Sequence, residues 1–413
     1  MENPKQHIET LGDWGDDIYT KLSWFRQEQV AAANIMVVGC GALGNEVLKN
    51  LVLFGVEHLV LVDFDHIETG NLSRSILYNR TDAATRRLKV EAATERLQQI
   101  NPNVKVIPIC GDITYDVGLG LLRRMDVVIG CVDSRWARYC LNRLCMRAGV
   151  PWVDGGINGL DGTVRVFASG QNCYACNLGT EGLKELARRM PCSGIIRKNE
   201  TAGRAPTTPV IASIIGAVQV QEALKLVHRD QLENGELTSL CGKVFYYEGQ
   251  HLTTQTAGFS AYDADCPVHE QWTEIRPTAI RTGTPVGEAL QILENELQTK
   301  EISILLTNDC FVDFVEDRMN GQQTEMMCAG RCVAERIGQN KNLRLKSDND
   351  YYQHEFSTID RQFPYPHLTL RQIGIPAWDV LHVRAKQSDY FMEMQDERQD
   401  AALLHQKSQK ICR

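Results

Sequence analysis

Between Ile35 and Ile157 the chain alternates two kinds of hydrophobic pattern. Short runs that are apolar almost throughout ("IMVVG", "HLVLVDFD", "VKVIPIC", "DVVIGCV" and "PWVDGGI") predict strands buried on both faces. The stretches "NEVLKNLVLFG", "RLKVEAATERLQQI" and "RYCLNRLCMRAG" lie between them and read as helices. This alternation predicts an α/β unit with a parallel sheet covered on both sides. "TVRVFAS" sets polar Arg165 between apolar neighbours, the pattern of a strand at an antiparallel end. Upstream, "YTKLSWFRQEQVAAA" reads as an entry helix. Downstream, an irregular stretch from Cys173 to Pro209 leads into a strong helix, "PVIASIIGAVQVQEALKLV".

After "KVFYYEG" and "CPVHEQW" the alternation does not resume. "PVGEALQILENELQ" places Val286, Ala289, Leu290, Leu293 and Leu297 on one helical face, and "ISILLT" and "WDVLHV" read as strands. A boundary near Trp272–Pro277 divides the chain into a unit at 1–272, a second at 273–385 and a charged tail at 386–413. At 413 residues the chain exceeds one usual domain, and its 43% apolar share is ample for buried cores. The net charge of −8 gives no reason to expect nucleic acid as a partner. No stretch reads as a membrane span or leader, so a cytoplasmic protein with no membrane partner is expected. The fourteen cysteines then read as reduced thiols, a subset being available for metal or catalysis.

The chemistry begins at "VVGCGALGNEV". Gly39, Gly41 and Gly44 form a GxGxxG turn between a strand and a helix. The first glycine permits the tight turn and the second lets the backbone approach phosphate. The third allows close helix–strand packing, and the helix start offers free N–H groups to an anion. Asp63, about twenty residues on, suits ribose hydroxyls. This pattern fits NAD and ATP equally well. Four residues beyond it favour a triphosphate. Asn71 and Arg74 follow the acid in "DFDHIETGNLSR", Lys89 opens a helix in "RLKVEAA", and Asp133 ends a strand in "GCVDSR". Arginine and lysine neutralise phosphate oxygens, asparagine orients them, and aspartate holds Mg²⁺.

"GCGALG…VDFDHIETGNLSR…LKVEAA…CVDSR" resembles the adenylation domain of the ThiF/MoeB and ubiquitin-activating enzymes, from roughly Ile35 to His269. The resemblance implies a Rossmann-like sheet binding Mg-ATP. The nucleotide would be cradled by Gly39, Gly41, Ala42, Leu43 and Gly44, with Asp63 and Asp65 beside it. Asp63 would contact ribose, Asn71, Arg74 and Lys89 the phosphates, and Asp133 the metal. Two departures stand out. Ser75 occupies the place where the family often has glutamine, and "DDIYTKLSWFRQ" lacks a clean match to the family's N-terminal arginine. A homodimer is expected from the resemblance.

Cys173-x-x-Cys176 and Cys266-x-x-His269 are two chelating pairs far apart in sequence, the spacing of a structural Zn²⁺ site. Cys328-x-x-x-Cys332 reads instead as packing on a helix. Cys192 lies in a polar stretch near Arg188, Arg189, Arg197 and Lys198, whose charge favours thiolate. "PCS…APTTP" resembles the catalytic-cysteine segment of ubiquitin-type activating enzymes, here about 177–209. "LTLRQIGIPAWDVLHVRA" resembles the close of their ubiquitin-fold (β-grasp) domain, which recruits a conjugating enzyme. The expected function is therefore activation of a ubiquitin-like protein: C-terminal adenylation, a thioester on Cys192, then transfer to a conjugating enzyme. Two alternatives stay open: a sulfur-carrier-protein adenylyltransferase with no thioester step, and an NAD-dependent oxidoreductase or nucleotide-binding scaffold.

Overall fold

The computed structural model describes residues 19–189, 207–259, 262–340, 343 and 351–395. After a short helix α1 (Gln27–Ala32), β1 (Asn34–Val38), β2 (His58–Val62), β3 (Lys105–Ile109), β4 (Val127–Gly130) and β5 (Trp152–Asn158) form the parallel part of a sheet. The helices α2 (Ala42–Leu53), α3 (Arg80–Ala84), α4 (Lys89–Ile100), α5 (Leu119–Leu122) and α6 (Arg135–Ala148) connect them. Strands β6 (Asp161–Phe167), β7 (Lys243–Glu248) and β8 (Thr253–Gly258) extend the sheet antiparallel. Between β6 and β7 run α7 (Tyr174–Arg189), broken at Gly179, then α8 (Pro209–Val227) and α9 (Arg229–Glu233). The strand order is 3-2-1-4-5-6-7-8. Chain direction across the sheet therefore reverses between β1 and β4, and ligands bind at the carboxyl ends of strands at such a point.

Every residue of β1, β2 and β4 is buried, which explains why, beyond Asn34 and His58 at the starts of β1 and β2, these runs carry no polar positions. One face packs Val37, Leu59 and Ile129 against Val47, Leu97 and Ile215 from α2, α4 and α8. The other face buries Met36, Val60 and Val128 with Leu141 and Leu144 of α6. At 19 residues, α8 is one helix among those described that is long and apolar enough to cross a membrane, although the sequence reading expected none. It is a core helix. Gln219 on it donates to Gly130 O and Val153 O, and a Cβ at Gly216 would lie 3.0 Å from Glu46 Cβ on α2.

The C-terminal unit holds β9 (Arg276–Pro277), α10 (Val286–Leu297), β10 (Ile302–Leu305), β11 (Phe311–Asp317), β12 (Gln323–Ala329), α11 (Val333–Gln339), β13 (Tyr351–Phe356), β14 (Thr358–Ile359), β15 (Val380–Ala385) and β16 (Ser388–Glu393). These make a five-stranded sheet, order 14-10-15-16-9, and a three-stranded one, order 12-11-13. The expected ubiquitin-fold (β-grasp) domain is one sheet grasping one helix, and this arrangement differs from it. Val312, Val315, Met326, Val333 and Ile337 form a separate apolar cluster that needs a second sheet to enclose it. The charged tail also begins later than 386, because β16 pairs along its length with β15. Cys328 lies in β12 and Cys332 in a short 3₁₀ turn, so the expected helical spacing is absent.

The two units share a packed seam. Trp378 and Val380 join the second sheet-face core, and Trp272 stacks on Phe391 with ring centroids 4.4 Å apart. A Cβ at Gly118 would meet Ala377 O at 2.4 Å, and one at Gly120 would meet Trp378 O at 2.5 Å. These glycines let the second unit's backbone seat directly on α5. Arg124 lies over the Trp378 ring at 4.7 Å, and both Arg123 and Arg124 pair with Glu393. Arg331 reaches across to Asp116 at 3.0 Å while also holding Asp309 at 2.6 Å.

Candidate active site

The glycine turn leaves β1 with Gly39 at φ +95, a left-handed conformation that favours glycine. A Cβ there would lie 2.5 Å from Cys131 O, and one at Gly44 would lie 1.9 Å from Gly39 O. Gly39 and Gly44 are therefore demanded by the fold. Gly41 is not: its φ is −74 and an added Cβ would meet nothing within 4 Å. The open space above Gly41 faces the start of α2, with Ala42 and Leu43 in its first turn. Buried Asn45 donates to the carbonyls of Cys40 and Gly41, and the Tyr78 hydroxyl donates to Cys40 O at 2.6 Å. These bonds tie down the turn's carbonyls. Neither residue was singled out from sequence, because an Asn inside a helix and a Tyr in a loop carry no distinctive spacing.

Asp63, at the end of β2, accepts from Cys40 N at 2.7 Å and from Asp65 N at 2.8 Å. Burial pushes its carboxyl above the ordinary range, and Lys89 at 3.9 Å opposes that push. Lys89 is buried at the first position of α4, and its ammonium bonds Asp65 at 2.6 Å. Asn71 accepts from Glu68 N and so fixes the 3₁₀ turn between Thr69 and Ser73.

Asp65, Asn71 and Lys89 line one cavity of 130 Å³ together with Phe64, His66, Glu68 and Arg86. Pockets that enclose a whole ligand run to about 300–1,000 Å³, so this cavity has room for part of a ligand such as a phosphate group. Arg74, half-buried, folds back to donate to Gly70 O at 2.6 Å and does not line the cavity. Asp133 is exposed in the bend after β4. That bend is held to the turn by Cys131 N donating to Val38 O at 2.7 Å. Sequence reasoning missed Phe64, His66, Glu68 and Arg86. Cys192 lies outside the described residues.

The two chelating pairs converge. Cys173 Sγ is 3.7 Å from Cys176 Sγ and 3.8 Å from Cys266 Sγ, and His269 Nε2 is 3.3 Å from Cys176 Sγ. All four donor atoms lie within 4.8 Å of one another. A tetrahedral ion with metal–sulfur bonds of about 2.3 Å separates its sulfurs by about 3.8 Å, which the Cys173–Cys176 and Cys173–Cys266 separations match. The other ring nitrogen of His269 is buried without a partner among the described residues.

A doubly wound sheet, a glycine turn at its switch point and a phosphate-sized cavity walled by lysine and asparagine define a nucleotide-binding protein of the α/β class. The chain belongs to the ThiF family, whose model matches residues 7–268. It is 29% identical to the SAMP-activating enzyme E1 of Haloferax volcanii over 242 residues, 59% of this chain and 82% of that one. It is 31% identical to the molybdopterin-synthase adenylyltransferase of Salmonella typhimurium over 214 residues, 51% and 80% of the two chains. A third relative, the adenylyltransferase and sulfurtransferase MOCS3 of Sus scrofa, is 31% identical over 48% of this chain, a match that spans 41% of its own length. Among solved structures, the crystal structure of E. coli MccB with ATP has a TM-score of 0.47 at 19% identity, over 59% of this chain and 68% of that one.

Proposed function

We propose that the chain is an ATP-dependent adenylyltransferase acting on the C-terminal carboxylate of a small ubiquitin-like or sulfur-carrier protein. The observation that carries this reading is the gathering of Asp65, Asn71 and Lys89 in one phosphate-sized cavity beside the glycine turn. Family membership and the names of the relatives, adenylyltransferase and SAMP-activating enzyme, support it. The carboxylate oxygen attacks the α-phosphorus, the bond to the bridging oxygen breaks, and pyrophosphate leaves. Lys89, Asn71 and a swung-out Arg74 take the phosphate charge, worth most where water is excluded. Asp63 would contact the ribose, and Asp133 would hold Mg²⁺ on the open side. Cys173, Cys176, Cys266 and His269 would hold a structural Zn²⁺. That ion would clamp the start of α7 to the segment before Trp272, and metal analysis of the purified protein should find one zinc per chain, lost in Cys173→Ala.

ATP–pyrophosphate exchange dependent on a carrier protein tests the reaction. Exchange should appear with a cognate carrier and fall at least about a hundredfold in Lys89→Ala. No exchange with any candidate carrier protein would sink the reading. A second reading adds a thioester on Cys192, delivery to a conjugating enzyme and a homodimeric assembly; it is supported by the resemblance of "PCS…APTTP". A carrier adduct removed by reducing agent, and absent from Cys192→Ala, separates it from adenylation alone.

A further inference from the structure

Arg86 is exposed and lines the cavity from a left-handed backbone. Its φ is +51, a left-handed conformation that costs a side-chain-bearing residue and that arginine has no local means to offset. The chain reverses there from α3 into α4. Arg86 N bonds Ala83 O, Arg87 N bonds Asp82 O, and Lys89 N bonds Asp65 O, which fixes both sides of the reversal. A glycine would make this turn without strain, yet a long cation stands there and lines the same cavity as Asn71 and Lys89. Residues held in such regions cluster where a site needs their side chains.

The charges around it are already engaged. Lys89 is paired with Asp65, Arg87 with Asp82 and Glu95, and Arg74 bonds Gly70 O. Of the cavity's two carboxylates, Asp65 is held by Lys89 and Glu68 accepts the amide of Asn71. The Arg86 guanidinium has neither an ion pair nor a hydrogen bond to any described residue. A guanidinium fork matches phosphate oxygens in pairs and stays charged at any working pH.

We infer that Arg86 is a phosphate-binding residue of this site, engaging the β- and γ-phosphates of ATP that leave as pyrophosphate. The assignment rests on the adenylation reading above. It predicts a dissociation between stability and affinity. In the full chain, Arg86→Gly should melt at the wild-type temperature or above, because the left-handed strain is gone. Its dissociation constant for Mg-ATP by calorimetric titration should rise about tenfold, the loss of one charge-assisted contact, while that for AMP stays within about twofold. Arg86→Lys should recover part of the ATP affinity. Wild-type ATP affinity in Arg86→Gly overturns the assignment, and so does an equal loss for ATP and AMP, which marks a structural role. If the wild-type chain binds neither nucleotide, the adenylation reading falls and this assignment with it. Wild-type binding with an unaffected Arg86→Gly overturns this assignment alone.

Discussion

Gly41 and Gly44 look equivalent in a GxGxxG string but answer to different constraints. Gly44 has Gly39 O 1.9 Å from where its Cβ would stand, whereas Gly41 has free space. Gly44→Ala should therefore cost about 3 kcal/mol or more of folding free energy, as overpacking beside backbone does. Gly41→Ala should cost about 1 kcal/mol or less, since only its place at the helix start is affected. Under the proposed function it should also weaken ATP binding, because the second glycine of such a turn leaves room for phosphate. Thermal melts set beside nucleotide titration check both, and a Gly41→Ala protein with normal ATP affinity would refute the second. At this scale Lys89 and Asn71 stand out through residue type and spacing and Asp65 only through the family resemblance, and the three line one cavity. Arg86 was not legible, because its signal is a backbone angle. Arg74 was legible as a cation but not in its present conformation, which is set by a carbonyl one turn away.

Among the elements, β1, β2 and β4 could be read directly because burial on both faces leaves them apolar after their first residues, with Asn34 and His58 confined to the strand starts. The C-terminal strands were harder. In β11 and β13, buried and half-exposed residues mix, and the register between them shifts at Val312/Phe314, so period-two alternation is lost. The start of β15 also carries a titration. Burial pushes the Asp379 carboxyl up to about 6, although the amides of Leu119 and Val380 favour its charged form. The folded state holds this proton more tightly than the unfolded chain does. Its contribution to stability is thus full below about pH 4 and is lost as pH rises through about 6. Between pH 5 and 7.5 the wild type should lose stability relative to Asp379→Asn, which removes the titration. Equal pH slopes for the two proteins in urea unfolding would contradict this.

Across the whole molecule, the division at Trp272–Pro277 marks a change of architecture but not a flexible joint. Trp272, Trp378 and Val380 belong to the core beneath α5 and α6, and Arg331, Arg123 and Arg124 bridge the two units. The described residues should unfold in one cooperative transition, with calorimetric and van't Hoff enthalpies equal. A chain stopped at Trp272 should be poorly soluble, because it bares the apolar surface that Trp378 covers. Two resolved transitions, or a soluble and stable 1–272 fragment, would show the seam to be weaker than its packing implies. The sequence could not reveal this seam, since nothing in its composition distinguishes a glycine kept for a turn from one kept for a neighbour.

That seat of Gly118 and Gly120 under Trp378 has a consequence for how such chains diverge. Trp378 adopts φ +61, a conformation a bulky residue holds only when its surroundings impose it. Its backbone passes so close to α5 that neither glycine can gain a side chain alone. The three positions are therefore coupled: a chain without the second unit would free both glycines at once. Side chains at the positions of 118 and 120 would then record, in any related chain, whether this partnership was ever kept.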